Sequence, residues 1–347
     1  MSDKMKALVL TEYNHFEVQE IEKPIPSDDE VLLRVRACAI CGSDVHGMDG
    51  STGRRIPPVV MGHEASGEIV QAGCKVKNYK VGDRVTFDST IYCNDCSYCK
   101  KGDVNLCDNR MVFGVSCGDY RKNGALAEYL AVKEYLLYRL PDNVSYEHAA
   151  MAEPLAVALH GVSLVEIKPA DNAVVIGAGI IGLLTIAVLK ERGVTRIISV
   201  DIDDARLEKA KEFGASAAVN SKISDAGAEI KRLTRSIGAD LSFEAVGVQD
   251  TARLSLNCLR KGGNAVWIGN LSPDVNIPMQ AAVTRQLGVY GSCACAGEYA
   301  ESLALISKGK VNIGALLSAV VPLERGAEMF ERLRSGKENL MKVVVTP

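Results

Sequence analysis

A glycine-rich turn between a strand-like run and a helix-like run is the feature that most constrains this fold. Gly177-Ala178-Gly179-Ile180-Ile181-Gly182 follows the β-branched run 173–176 and precedes a helical pattern over 183–191. A packing turn in a parallel sheet without a nucleotide would look similar, but the next predicted strand ends on an acidic residue, Asp201. The glycines allow a pyrophosphate to approach the backbone at a helix N-terminus. The segment therefore predicts a strand, turn and helix that bind a dinucleotide.

The acidic residues after this unit indicate which dinucleotide it prefers. A carboxylate at Asp201 is expected to accept hydrogen bonds from the adenosine ribose and to repel a 2′-phosphate. Asp203 and Asp204 add negative charge, so the sequence favours NAD over NADP. Arg206 is interpreted as a helix-surface residue or a neighbour of the adenine. The predicted cofactor-binding residues are Gly177, Gly179, Ile181, Gly182, Asp201 and Arg206.

Strand-like and helix-like segments alternate from about residue 170 to residue 290, which predicts a doubly wound parallel sheet. Residues before about 150 are strand-like and rich in turns, which predicts a mostly β domain. An amphipathic helix near 299–308 and a terminal strand at 342–346 are expected to return to that domain. Within the alternating region, strands are predicted at Arg196–Asp201, Ala217–Asn220, Leu241–Ala245, Ala265–Ile268 and Val289–Gly291.

Composition argues against several classes of protein. The 347 residues include 40 basic and 43 acidic side chains, so a net charge of −3 offers no field for nucleic acid or anionic lipid. Eleven cysteines in so long a chain do not suggest a small secreted disulfide scaffold. The uncharged stretch 172–189 has the length of a membrane span, but its glycines favour a strand, a turn and a helix. The apolar stretch near the N-terminus is too short for a signal peptide, so a cytoplasmic location is expected.

Four cysteines lie close together in the sequence. Cys93, Cys96, Cys99 and Cys107 have the spacing C-x2-C-x2-C-x7-C. Four thiolates on a short loop are typical of a closed tetrahedral zinc site, in which the metal stabilises a lobe that lacks a core. An iron–sulfur cluster has similar cysteine runs, and four uncoordinated thiols are the third interpretation. We favour structural zinc, because four protein ligands leave no position for a substrate.

A second candidate metal site is dispersed along the chain. Cys41, His63, Glu64 and Glu153 supply one thiolate, one imidazole and two carboxylates. Each residue alone has an ordinary explanation: a small buried cysteine, a satisfied core histidine or a carboxylate at a helix start. Together they form the mixture expected for a catalytic zinc that keeps one exchangeable position.

These motifs, in this order, make the chain resemble the zinc-dependent medium-chain dehydrogenases, the superfamily of alcohol and polyol dehydrogenases. The resemblance runs over essentially the whole chain and includes Gly62-His63-Glu64-Ala65-Ser66-Gly67, Gly82-Asp83-Arg84-Val85 and Gly124-Ala125-Leu126-Ala127-Glu128-Tyr129. Glu153-Pro154-Leu155-Ala156 is similar to the polyol branch, which includes sorbitol, butanediol and galactitol-phosphate dehydrogenases.

The resemblance implies an α/β protein with two domains. A mostly β, GroES-like catalytic domain is expected over residues 1–155 and 295–347, and a Rossmann NAD-binding domain over 156–294. The strand-like segment over residues 283–293 could extend a sheet across a two-fold interface. Homodimers or homotetramers are therefore expected, since these states predominate in the superfamily.

The resemblance also implies a chemistry. Cys41, His63 and Glu64 match the zinc ligands of the polyol enzymes, and Glu153 matches the carboxylate that binds zinc or holds its water. Zinc stabilises the alkoxide of a substrate alcohol, so that a hydride can leave the carbinol carbon for C4 of the nicotinamide. The expected reaction is the reversible oxidation, with zinc and NAD, of a secondary alcohol of a polyol or sugar-like substrate to the ketone.

Other positions bear on the proton path and the substrate. Ser43 and His46 match the groups that pass the alcohol proton to solvent, with local turn capping as the alternative for Ser43. Sorbitol dehydrogenases carry an Arg-Tyr pair where this chain has the small residues of 291–295, which argues against sorbitol itself. Arg54 and Arg55 could instead meet a phosphate, or they are simply solvated.

Several alternatives stay open at this level. Within the enzyme class they are a sugar-phosphate dehydrogenase, such as one for galactitol 1-phosphate, and a 2,3-butanediol or amino-alcohol dehydrogenase. From another class, the chain could be a non-catalytic NAD-binding protein that kept the fold. Such proteins commonly lose the metal ligands, whereas all of the candidate ligands are present in this sequence.

Overall fold

A computed structural model describes residues 3–347, and these residues divide into two units. The first unit contains the chain up to Glu153 together with Tyr299–Pro347, and the second contains Pro154–Glu298. The predicted domain boundaries, at 155/156 and 294/295, lie within a few residues of these crossings. Among residues 3–347, no helix combines the length and apolarity needed to cross a membrane.

Strands dominate the first unit because its segments alternate buried and exposed side chains. The strand Glu30–Ala39, for example, buries Val35 and Ala37 but exposes Arg34 and Arg36. The strands of this part are β1 (Lys4–Glu12), β2 (His15–Glu22), β3 (Glu30–Ala39), β4 (Val59–Val60), β5 (Glu64–Ala72), β6 (Arg84–Phe87), β7 (Thr90–Ile91), β8 (Met111–Val112), β9 (Val115–Ser116), β10 (Arg121–Lys122), β11 (Tyr129–Lys133) and β12 (Leu137–Arg139). The helices are α1 (Gly42–Gly47), α2 (Ser97–Lys101) and α3 (Tyr146–Ala150), with 3₁₀ turns at Val104–Leu106 and Glu134–Leu136. The next helix, α4 (Ala152–Ser163), begins in the first unit and continues into the second.

The second unit is the predicted doubly wound parallel sheet. Its elements are β13 (Asn172–Ile176), α5 (Ile180–Glu191), β14 (Arg196–Asp201), α6 (Asp204–Phe213), β15 (Ala217–Asn220), α7 (Ala226–Leu233), β16 (Ala239–Glu244), α8 (Gln249–Asn257), β17 (Leu259–Trp267), α9 (Met279–Thr284) and β18 (Gly288–Gly291). The strands pair in the order β15-β14-β13-β16-β17-β18. The winding direction therefore reverses between β13 and β16, which is where such sheets form a ligand crevice.

The prediction of a continuous strand-like segment over residues 283–293 is wrong in part. Val283 belongs to α9, and only Gly288–Gly291 forms a strand. Pro278, directly before the first residue of α9, suits the start of a helix. Gln286 has φ +52°, a left-handed conformation that turns the chain before β18 begins.

The C-terminal segment returns to the first unit and extends its main sheet. Its elements are α10 (Tyr299–Ser307), β19 (Leu317–Pro322), α11 (Gly326–Ser335) and β20 (Lys342–Thr346), with 3₁₀ turns at Ile313–Leu316 and Leu323–Arg325. The sheet order is β12-β6-β5-β3-β20-β19, and β11 also pairs with β3. Val344 lies opposite Ala39 in the antiparallel pairing of β20 with β3. The start of β20 therefore lies beside the residues that leave β3, where the candidate metal ligands begin.

Candidate functional site

The four cysteines of the 93–107 lobe converge on one point. Their sulfur atoms all lie within 4.8 Å of one another, and the Cys96 and Cys93 sulfurs are 3.5 and 3.9 Å from that of Cys99. A tetrahedron with Zn–S bonds of about 2.3 Å has edges of about 3.8 Å. The lobe therefore has the dimensions of a closed zinc site.

Backbone groups favour the thiolate form in this lobe. The N–H groups of Asp95 and Cys96 donate to Cys93 Sγ and lower the pKa of that thiol to about 6. Burial and the neighbouring thiols raise the pKa of Cys99 to about 12. The thiols of the lobe therefore do not ionise together on their own, whereas a divalent cation favours all four thiolates. The donor set fits zinc.

Sheet register assembles the second cluster within the first unit. Cys41 follows β3 and precedes α1, while His63 and Glu64 lie at the start of β5, which pairs with β3. The ligand atoms of these three residues lie within 4.8 Å of one another. Gly62 has φ +94°, and a Cβ there would lie 2.6 Å from Cys38 Sγ, so only glycine fits the turn before His63.

The acidic groups of this cluster disfavour one another's charged forms. Burial and the nearby Glu64 raise the pKa of Cys41 to about 12, and the same causes raise the pKa of Glu153 to about 8. Glu153, in the first turn of α4, lies outside the 4.8 Å group but close enough for His63 to favour its charged form. A divalent cation relieves such repulsion because it stabilises the deprotonated groups. The three donors that lie together, Cys41, His63 and Glu64, fit a zinc ion that keeps one exchangeable position, with Glu153 near that position as a further carboxylate.

Glu64 has a partner that the sequence analysis missed. Lys342 Nζ donates to both carboxylate oxygens of Glu64, at 2.9 and 2.7 Å, and to the carbonyl of Ile40 at 3.2 Å. Both side chains are buried. Burial opposes the ammonium charge, but Glu64 raises the pKa of Lys342 overall. The sequence signal was a lysine at the start of an otherwise β-branched strand, 278 residues from its partner.

A buried carboxylate lies behind His63. Asp44 Oδ2 is 3.5 Å from His63 Nδ1, and neither atom has a hydrogen-bond partner within the described residues. Arg55 donates through Nε and Nη2 to Asp44 Oδ1, at 3.0 and 2.7 Å. The interpretation of Arg55 as a phosphate-binding residue is therefore wrong, because its guanidinium compensates a buried charge. Only Arg54 of that pair is exposed.

The predicted proton relay begins beside the cluster. Ser43 Oγ donates to Cys41 Sγ at 3.3 Å, and α1 has no side-chain cap within the described structure. The geometry thus does not match the capping alternative for Ser43. His46 lies exposed in the last turn of α1. Proton transfer through these two residues stays a prediction.

The glycine turn of the second unit is closely packed. A Cβ on Gly182 would lie 1.7 Å from the carbonyl oxygen of Gly177, which itself has φ +94°. Gly179 is the N-cap of α5, and Ile181 lies in the first turn. The carboxylate of Asp201 accepts from the N–H of Ala178 at 2.6 Å and so joins the turn to the end of β14.

The acidic residues near this turn have separate structural partners. Asp203 caps α6 by accepting from the backbone N–H of Arg206 at 3.0 Å, and Asp204 accepts from Asn220 Nδ2 at 2.7 Å. The residue Arg206 is exposed. Glu244, which the sequence analysis missed, ends β16 and accepts from the N–H groups of the turn that follows. Its signal was the same as that of Asp201, an acidic residue at the end of a parallel strand.

Comparison with known proteins identifies the family. The alcohol dehydrogenase GroES-like domain matches residues 27–142, and the zinc-binding dehydrogenase domain matches residues 181–308. D-xylulose reductase A of Aspergillus niger is 38% identical over 327 residues, which cover 91% of this chain and 90% of that protein. The chain belongs to the zinc-dependent medium-chain dehydrogenases. Sorbitol dehydrogenase of Bacillus subtilis strain 168 is 32% identical, and the matched region covers 99% of this medium-chain dehydrogenase and 97% of the sorbitol dehydrogenase.

Solved structures agree with this membership. The crystal structure of 2R,3R-butanediol dehydrogenase from Bacillus subtilis superposes on this medium-chain dehydrogenase with a TM-score of 0.88, at 32% identity and with 99% of each chain covered. Family membership confirms the predicted fold class, the enzyme class, and zinc and NAD as cofactors. The roles of the individual site residues stay predictions.

Proposed function

We propose that this dehydrogenase reversibly oxidises a secondary alcohol of a polyol or sugar-like substrate to the ketone, with NAD as hydride acceptor. The observation that carries the proposal is the cluster of Cys41, His63 and Glu64, whose ligand atoms lie within 4.8 Å of one another. When bound, zinc polarises the substrate hydroxyl and NAD accepts the hydride. The relatives named above support the substrate class, since their names specify xylulose, sorbitol and butanediol.

In this proposal the first unit is the catalytic domain. Cys41, His63 and Glu64 hold the zinc, and Glu153 is a further ligand or holds a water on the metal. Since Nδ1 of His63 lies toward Asp44, Nε2 is the atom left for the metal.

Ser43 is proposed to accept the alcohol proton. Its hydroxyl already contacts Cys41 Sγ, so a substrate hydroxyl at the same centre would be within its reach. His46, which is exposed at the end of α1, would pass the proton to solvent.

The second unit is proposed to bind NAD. A Cβ on Gly179, the N-cap of α5, would meet nothing within 4 Å, so the backbone at this helix N-terminus is open to the approach of a pyrophosphate. The carboxylate of Asp201 at the end of β14 supports a preference for NAD over NADP, because it would repel a 2′-phosphate.

A sugar phosphate has less support than a neutral polyol. The phosphate interpretation rested on Arg54 and Arg55, and the guanidinium of Arg55 is engaged by Asp44. A single exposed arginine, Arg54, does not form a phosphate site.

A substrate panel tests the proposal directly. Xylitol, sorbitol, 2,3-butanediol, threonine and galactitol 1-phosphate are each supplied with NAD or with NADP, and NAD(P)H absorbance is followed. We expect the highest kcat/KM with NAD and a neutral polyol or diol, and loss of activity when a chelator removes the catalytic metal. Activity that survives complete removal of metal would contradict the zinc mechanism, and a preference for the phosphate ester would contradict the substrate class.

We further propose that the protein assembles as a homodimer through β18 or as a tetramer of such dimers. This strand is an edge strand of the sheet in the second unit, and its residues Val289 and Tyr290 are 40% and 42% exposed. Met279 and Val283 of α9 are also exposed, at 70% and 68%. An apolar strand edge favours pairing, and a two-fold axis allows a second copy to supply the partner strand.

Sedimentation equilibrium tests the assembly. We expect a mass of at least twice the 37.2 kDa of one chain, and a shift toward monomer in Val289→Lys. Val81→Lys, at an exposed position of the first unit, is the matched control and should leave the mass unchanged. A monomeric wild-type protein would overturn the proposal.

A cytoplasmic location is also part of the proposal. All eleven cysteines lie within the described residues, and none of them forms a disulfide. Clustered reduced thiols are typical of a reducing compartment.

A further inference from the structure

We propose that Arg55 is a positioning residue for the metal centre, which acts through Asp44 on His63. This inference rests on the proposed zinc site. The Arg55 and Asp44 side chains are 4% and 0% exposed, so their ion pair is isolated from solvent. A buried ion pair can act on the stability of the fold alone. A role at the metal is indicated by the different contacts of the two Asp44 oxygens.

The two carboxylate oxygens of Asp44 have different surroundings. Arg55 Nε and Nη2 both donate to Oδ1, at 3.0 and 2.7 Å. Oδ2 is left 3.5 Å from His63 Nδ1, and both of these buried atoms are without another partner among the described residues. This distance is slightly longer than an ordinary N–H···O hydrogen bond, so the orientation of the Asp44 carboxylate decides whether a hydrogen bond to His63 forms.

The consequence for His63 is a choice of tautomer. A carboxylate that accepts from Nδ1–H leaves the lone pair on Nε2, which is the form that binds a metal. Arg55 holds Oδ1 through two hydrogen bonds, so the carboxylate is oriented with Oδ2 as the oxygen that lies toward His63. Arg55 thereby orients a metal ligand that it does not touch.

The arginine is itself held in place from two sides. Its Nη1 donates to the carbonyl of Arg54 at 2.9 Å, and Nη2 lies 3.5 Å from Ser43 Oγ. A Cβ added to Gly47 would lie 2.7 Å from Arg55 Cγ, so the stem packs directly against the end of α1. The guanidinium therefore links the 52–55 loop to the helix that begins after Cys41.

The rate of zinc release from the purified holoenzyme into excess chelator tests this inference. Zinc should leave in two kinetic phases, and the phase that is missing in Cys41→Ser is assigned to the catalytic centre. We expect Arg55→Gln to accelerate this phase by about 10- to 100-fold, a typical effect of removing a group that supports a metal ligand. Arg55→Lys, which keeps the charge but not the two-point contact, should have an intermediate effect. Arg54→Gln makes the same charge change at the neighbouring exposed position and should leave both phases unchanged.

A purely structural role predicts a different result. In that case Arg55→Gln would lower the melting temperature of the protein with and without metal, and the catalytic zinc phase would keep its wild-type rate, which would overturn the inference. If Arg55→Gln does not fold, the double variant Asp44→Asn/Arg55→Gln leaves no unpaired buried charge, and the same acceleration is expected of it. As a second readout, the thiolate-to-cobalt absorption of the cobalt-substituted centre should shift in Arg55→Lys but not in Arg54→Gln. If Cys41→Ser releases zinc as the wild type does, the proposed zinc site fails, and this inference fails with it.

Discussion

Replacement of Cys41 by serine is expected to lower kcat/KM by about 10³-fold or more and to reduce the zinc content from about two to about one per chain. Cys41 is the only sulfur donor in the cluster with His63 and Glu64. A serine hydroxyl stays protonated near neutral pH and is a poor zinc ligand. Since burial and Glu64 already raise the pKa of this thiol to about 12, the metal-free protein loses no charge on substitution. The fold should therefore persist while the metal centre is lost.

Activity, metal analysis and thermal unfolding measured on the same preparation separate these effects. Cys117→Ser is the matched control, because Cys117 is also partly exposed but lies outside both metal clusters. It should keep the activity and both zinc ions. A Cys41→Ser enzyme that retained full activity would contradict the assignment of the catalytic centre.

Replacement of Cys99 by serine is expected to destabilise the lobe that its sulfur helps to hold. Loss of a structural metal belongs to the small group of changes that cost about 4 kcal/mol or more of unfolding free energy. For a unit of this size, that loss corresponds to a fall in melting temperature of roughly 8–16 °C. The lobe has little else to hold it, because α2 contains no buried residue.

Calorimetry with metal analysis checks this expectation. Zinc content should again fall to about one per chain, but the zinc that remains should now be the ion at Cys41. Cys74→Ser, at an exposed position, should match the wild type in both measurements. A Cys99→Ser protein with unchanged melting temperature would show that the lobe does not depend on metal, and a visible iron–sulfur absorption in the wild type would identify a different group.

The parts of the molecule that follow from local patterns were predictable. The strands Arg196–Asp201, Ala217–Asn220 and Lys342–Thr346 lie where the sequence predicts them. Each is a short β-branched or apolar run bounded by turn residues, so the residues within and next to the strand are enough to predict it. The glycine turn is local in the same sense.

The supports of the metal centre were not predictable in this way. The donors Cys41 and His63 could be recognised through a family resemblance, but the pairing of Glu64 with Lys342 depends on a sheet register that joins positions 278 residues apart. The burial of Arg55 could not be predicted either, because two adjacent arginines look alike in sequence, whereas the fold buries one and exposes the other. Only three-dimensional packing distinguishes a buried counter-ion from a solvated surface charge.

The position of β20 in the main sheet also has a consequence for the order in which the parts of the metal centre are synthesised. The second unit, Pro154–Glu298, is one continuous segment, so all of its residues have been synthesised before the chain returns to the first unit. The main sheet of the first unit is complete only after β20 has been synthesised, because this strand lies between β3 and β19. At about 5–20 residues per second, Lys342 is synthesised about 14–56 seconds after Glu64, across their 278-residue separation. Throughout that interval Glu64 lacks Lys342, and the end of β3 at Cys38 and Ala39 lacks the strand that pairs with it, so we expect the metal centre to be completed late in biosynthesis.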